Sequence, residues 1–116
     1  MGETTLLERV RALAPLVESS ADEMGAKAAL TDDVARAVRE SGALHLMVPA
    51  ELGGDELGIV DVIEVMEELA RQDGSTGWST MAASVSTAFT AIYTSDEVAH
   101  ALFGSSAQAV LAGQLA

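Results

Sequence analysis

Two histidines and eighteen carboxylates are the residues of this chain whose types could do acid–base or metal chemistry. His45 and His100 lie far apart and lack a partner pattern, so each reads as structural or exposed. The acids pair as Asp32-Asp33, Asp55-Glu56 and Glu67-Glu68. Sequence neighbours point different ways on a helix, so such pairs do not form a carboxylate dyad. No HExxH is present, and no GxSxG elbow accompanies the many serines. Gly53 to Gly58 has the GxxxxG spacing of a phosphate loop, but Ile59-Val60 stand where Lys-Ser/Thr is required. Asp55 and Glu56 would also repel phosphate. From the residues alone, no catalytic, metal-binding or cofactor-binding group stands out.

The elements that would hold any site are helical. Ile59, Val62, Ile63, Met66, Leu69 and Ala70 recur at helical spacing and form one apolar stripe. Glu64, Glu67, Glu68 and Arg71 fall on the other side and read as a solvated face. This helix is expected to stop at Asp73-Gly74, with glycine closing it in the left-handed conformation. Ser75 or Thr76 should then cap a very apolar helix running from Trp78 to Tyr93. On it, Trp78, Met81, Ala82, Val85, Phe89 and Ile92 share a face, and Ser79, Thr80, Ser84, Ser86, Thr87 and Thr90 add hydroxyls around it. Those hydroxyls can bond to carbonyls one turn back, so the helix can be buried. Trp78 reads as a core anchor or as a residue facing a ligand pocket.

Upstream, Leu6, Val10, Leu13 and Val17 predict a helix from about Thr4 to Met24. Pro15 should kink it or mark a new first turn. Thr31 with Asp32 and Asp33 starts a helix carrying Val34, Ala37, Val38 and Ser41, and Gly42 ends it. Ala43 to Val48 is a short apolar connector. Pro49-Ala50-Glu51-Leu52-Gly53-Gly54 is a turn. Ser95 caps a last helix with Val98, Leu102 and Phe103 inside, ended by Gly104. Ser105 to Gln108 reads as loop. Ala109 to Ala116 is a strand-like or core-bound run, and we expect the natural chain to continue into a further domain.

The 116 residues suit one domain. Hydrophobic residues make up 49% but aromatics only 3%, so Ala, Leu and Val must fill an all-α core of closely packed helices. There is no cysteine, which excludes disulfides and thiolate metal sites and suits a cytoplasmic setting. The net charge of −12 makes nucleic acid and anionic membrane poor partners. No signal peptide or transmembrane run is evident.

Three stretches together resemble a known family. They are Pro49-Ala50-Glu51-Leu52-Gly53-Gly54, Glu67-Glu68-Leu69-Ala70-Arg71-Gln72-Asp73 and Gly74-Ser75-Thr76-Gly77-Trp78, preceded by Ser41-Gly42-Ala43-Leu44. In this order they resemble the N-terminal helical domain of the acyl-CoA dehydrogenase superfamily, from about Leu6 onward. The Gly77-Trp78 pair resembles its flavin-dependent monooxygenase branch, the aromatic hydroxylases. The resemblance implies an up-and-down bundle of about five helices, with residues 1–116 forming the first of three domains. It implies a flavin, FAD or FMN, in the full-length parent and none held by this chain alone. It implies missing middle and C-terminal domains as partners, a homo-oligomer (a tetramer in the family) and a partner flavin reductase. Trp78, Met81, Ala82 and Val85 become the substrate-pocket wall. Acyl-CoA dehydrogenase is the alternative activity, and a free-standing helical protein-interaction module the alternative outside enzymes.

Overall fold

A computed structural model describes residues 4–104 and 108–113. Among these residues all regular structure is helical, as the composition demands. Six α-helices follow one another: α1 (Leu6–Arg11), α2 (Ala14–Lys27), α3 (Asp32–Ser41), α4 (Ile59–Gln72), α5 (Gly74–Tyr93) and α6 (Asp96–Phe103). Two 3₁₀ turns, Ala43–His45 and Ala50–Leu52, lie between α3 and α4.

The local chemistry sets most boundaries. Thr5 caps α1 in a capping box with Glu8. Pro15 sits in the first turn of α2, where its missing amide has no helical partner to lose. The single helix expected from Thr4 to Met24 is therefore two helices, and the second runs past Gly25 to Lys27. Thr31 caps α3 through the Val34 amide, and Gly42 ends it at φ 93°. In the proline turn, Gly53 adopts φ 88°. Gly54 presses against the Val48 carbonyl so closely that no side chain fits. Those two demands explain the paired glycines.

The junction between α4 and α5 differs from the expectation. Asp73, not Ser75 or Thr76, is the N-cap: its carboxylate accepts from the Thr76 amide at 2.8 Å and from the Thr76 hydroxyl at 2.8 Å. Asp73 is extended and Gly74 is already helical, so no left-handed glycine closes α4. A carboxylate at the positive end of a helix dipole does this capping well.

The main core gathers Leu6 and Val10 of α1, Val17 and Met24 of α2, Val34 and Val38 of α3, and Val62, Val65 and Leu69 of α4 around Ala43, Leu44 and Leu46. A smaller cluster joins Val48, Leu52, Ala91, Ala99 and Phe103. In α6 it is Ala99 and Phe103 that turn inward, while Val98 is exposed.

The apolar stripe assigned to α4 is divided. Val62 and Leu69 face the core together with Val65, whereas Ile59 and Ile63 face outward. The assignment of α5 is reversed. Its buried face is Thr76, Gly77, Thr80, Ser84, Thr87, Ala88 and Ala91, and its large residues Trp78, Val85, Phe89 and Ile92 are exposed. Trp78 is 69% exposed and is no core anchor. Backbone proximity is the reason. A Cβ at Gly77 would lie 2.7 Å from the Ala70 Cα, so only small side chains fit between these helices. The hydroxyls tolerate burial because most find partners. Ser84 Oγ lies 2.6 Å from the Thr80 carbonyl oxygen and 2.9 Å from that of Ala43, and Thr87 Oγ1 accepts from the Leu111 amide at 3.0 Å.

The loop expected over Ser105 to Gln108 falls mostly outside the described residues. Residues 108–113 form an irregular segment held against the helices. Arg39 donates to the Gln108 carbonyl at 3.4 Å, His45 Nε2 bonds the Ala109 carbonyl at 2.8 Å, and the Ala109 amide donates to Leu102 O at 3.2 Å. The strand-like reading of Ala109 onward has no ladder in the described part, and residues 114–116 lie outside it.

Candidate functional site

The histidines sit in structural roles. His45 is half-buried, bonded to the Ala109 carbonyl and edge-on to Phe103 at 6.3 Å between ring centres. His100 is exposed, with Nδ1 2.7 Å from the Asp96 carbonyl oxygen. Glu97 and His100 have the Glu-x-x-His spacing of a helix-borne ligand pair, but such a pair needs carboxylates from other helices. Among the described residues no three His, Asp or Glu side chains converge as metal ligands.

Among the described residues the acids likewise form no metal-binding cluster. Arg71 clamps both oxygens of Glu68 at 2.9 and 2.7 Å, and the Gln72 amide donates to it at 3.1 Å. The Arg71 hydrogen bonds, then that from Gln72, lower the Glu68 carboxyl from its ordinary 4.5 to about 2. That group is a fixed anion at neutral pH and cannot serve as a proton shuttle.

The concave apolar feature is a groove of about 670 Å³ between α4 and α5. From α5 it takes Trp78, Met81 and Val85; from α4, Ile59, Ile63 and Met66, with Met47 beneath. Glu67 is its one charged lining residue. Three of the four pocket residues expected from the sequence therefore come together. Ala82 is exposed and lies outside the lining. The α4 half was missed, although its signal was present: Ile59, Ile63, Met66 and Ala70 follow steps of four, three and four. A one-helix reading assigned them all to the core.

A second concavity of about 540 Å³ lies between α3 and α5, lined by Leu30, Leu44, Ala83 and Val110 with Arg36 and Arg39 at its side. Thr80 borders it, and its buried hydroxyl has no hydrogen-bond partner among the described residues. Neither concavity brings a nucleophile beside a base. Both are open and lined mainly by apolar side chains.

Comparison with known proteins agrees with the helical architecture. The profile of the acyl-CoA dehydrogenase N-terminal domain matches residues 3–108. A pigment production hydroxylase from Rhodococcus sp. (strain ATCC 21145) is 32% identical over 77 residues, which is 66% of this chain and 20% of that protein. The chain thus corresponds to about a fifth of that relative's length. No solved structure gives a significant match. With nearly all of its helical core inside the matched span, the chain belongs to the acyl-CoA dehydrogenase N-terminal domain family.

Proposed function

We propose that residues 1–116 are the N-terminal domain of a three-domain flavin-dependent oxidoreductase, most simply a two-component monooxygenase supplied by a partner flavin reductase. The domain walls one side of the substrate and flavin pocket. The observation that carries this reading is the outward apolar face of α4 and α5, where Trp78, Met81 and Val85 line an open groove. An apolar wall excludes water from a reaction that reduced flavin would otherwise waste. Family membership and the hydroxylase relative support the class of chemistry.

The groove does not fit the phosphate end of a flavin nucleotide. No cationic side chain lines it, and Glu67 would repel a phosphate. The phosphate of FAD or FMN therefore belongs to the middle and C-terminal domains of the parent. The same reading includes a cytoplasmic homo-oligomer. Among the described residues no helix is long and apolar enough to cross a membrane.

The absence of any histidine or acid on α5 keeps a second reading in play, an acyl-CoA dehydrogenase. Here too the chain would supply wall and not proton chemistry. The two are separated by expressing the longest reading frame that contains this chain. Oxygen consumption with a phenol, dependent on a flavin reductase, is the expected result. Direct bleaching of bound flavin by an acyl thioester establishes the second reading instead. Neither activity, with no flavin retained, overturns both.

A further inference from the structure

The concavity between α3 and α5, away from the Trp78 groove, holds two features that folding does not explain. The first is the Thr80 hydroxyl. Four hydroxyls are buried on α5, those of Thr76, Thr80, Ser84 and Thr87. Thr76 donates to the Asp73 carboxylate, Ser84 is bonded to main-chain carbonyls, and Thr87 accepts from the Leu111 amide. Thr80 has no partner among the described residues, and it borders the concavity. A valine would fill nearly the same volume without the cost of an unpaired polar group. The second feature is Arg39. Six basic side chains stand among eighteen acids in this chain. Arg9, Lys27, Arg36 and Arg71 are each paired with a carboxylate. Arg11 lies among Glu64, Glu67 and Glu68. Arg39 has no carboxylate partner among the described residues and lines the apolar concavity, with Arg36 beside it. Its bond to the Gln108 carbonyl is long, 3.4 Å, and leaves most of its N–H donors free.

Charge selects the ligand. The concavity is walled by Leu30, Val38, Leu44, Ala83 and Val110, its charged lining residues are Arg36 and Arg39, and no acid lines it. It therefore favours an anion with an apolar body. The α4–α5 groove disfavours the same molecule, because its one charged lining residue is Glu67. A carboxylate fits better than a phosphate, whose larger charge gives up hydration that this apolar wall does not replace. We propose that the concavity of about 540 Å³ binds an apolar carboxylic acid in its ionised form. Arg39 takes the carboxylate, and the Thr80 hydroxyl donates to an uncharged acceptor atom in the body of the ligand. The hydroxyl left unpaired by folding is then paired by binding. This goes beyond the catalytic reading and does not depend on it.

Probes of one shape test it: para-propoxybenzoate, its neutral amide, and para-butylbenzoate, which has a methylene in place of the ether oxygen. Calorimetry measures affinity, and amide NMR shifts locate the ligand. The propoxy acid should bind about tenfold or more tighter than its amide, as a bond to a charged donor allows. Added salt should narrow that difference. Shifts should centre on Val38, Leu44 and Ala83 and spare Ile63 and Met66 of the groove. Arg39→Gln should abolish the preference for acid over amide with the melting temperature unchanged, since Arg39 is exposed. Arg39→Lys should restore part of it. Thr80→Val should remove the preference for the propoxy over the butyl acid and leave that for acid over amide intact. Equal binding of acid and amide, no binding of either, or shifts centred on Ile63 and Met66 overturns the proposal. So does displacement of the acid by inorganic phosphate, or undiminished binding by Arg39→Gln. None of these readouts involves flavin or oxygen, so they fail or succeed separately from the enzymatic assays.

Discussion

Gly77 of α5 packs against Ala70 of α4, and a Cβ on the glycine would lie 2.7 Å from the Ala70 Cα and 2.8 Å from its Cβ. Backbone stands behind the contact, so the neighbour cannot move aside as a flexible side chain would. Gly77→Ala should destabilise the domain by about 1–3 kcal/mol, the usual range for overpacking, despite alanine's better helix propensity. Thermal unfolding followed by circular dichroism measures it. An unchanged or higher melting temperature would show that the two helices separate without cost.

Trp78 and Leu69 should behave in opposite ways. Trp78→Ala removes a large but exposed ring and should change stability by no more than about 0.5 kcal/mol. Leu69 is fully buried, and Leu69→Ala should cost about 2–5 kcal/mol. Urea titration of both variants compares them. A Trp78→Ala loss as large as that of Leu69→Ala would restore tryptophan to the core.

Thr80 and Ser84 form a second contrast. The Thr80 hydroxyl is buried without a partner, so Thr80→Val should be neutral or stabilising by about 1 kcal/mol. Ser84 Oγ lies within bonding distance of the Thr80 and Ala43 carbonyls, and Ser84→Ala should cost about 1 kcal/mol. Denaturant midpoints read both. Marked destabilisation by Thr80→Val would reveal a partner for that hydroxyl.

Glu68 gives the acid limb of stability a specific contributor. Its folded pKa is lowered to about 2 from an ordinary 4.5, so the folded form holds this carboxylate deprotonated more strongly than the unfolded chain does. The contribution is complete above pH 4.5 and declines as pH falls towards 2. Exposure of the Arg71 partner to solvent keeps it modest. Glu68→Gln should lower stability at neutral pH and flatten the slope between those two pH values. Melting temperatures across that window test it, and parallel curves for the two proteins would dismiss the role.

Much of the fold was legible because it is governed by local chemistry. Thr31 and Ser95 cap helices through their hydroxyls, Gly42 ends α3 in the left-handed region, and the glycines after Pro49 serve a turn. These depend on a few neighbouring residues, and the same residues carried the family resemblance. The end of α4 was misread because Asp73 and Gly74 both suit a helix boundary, and the carboxylate became the cap.

What only the tertiary structure decided is which side of α5 faces inward, and with it the place of Trp78. Neither face of that helix carries a charge, so burial of the larger side chains was the natural expectation from periodicity. The close approach at Ala70 leaves room only for glycine at position 77, the rest of the buried face is alanine, serine and threonine, and most of the hydroxyls bond to carbonyls one turn back or to neighbouring segments. The large residues are left outside, beside Ile59 and Ile63 of α4. Composition and caps determined an all-α domain with its helices nearly in place; packing distance between two backbones turned its most apolar surface outward.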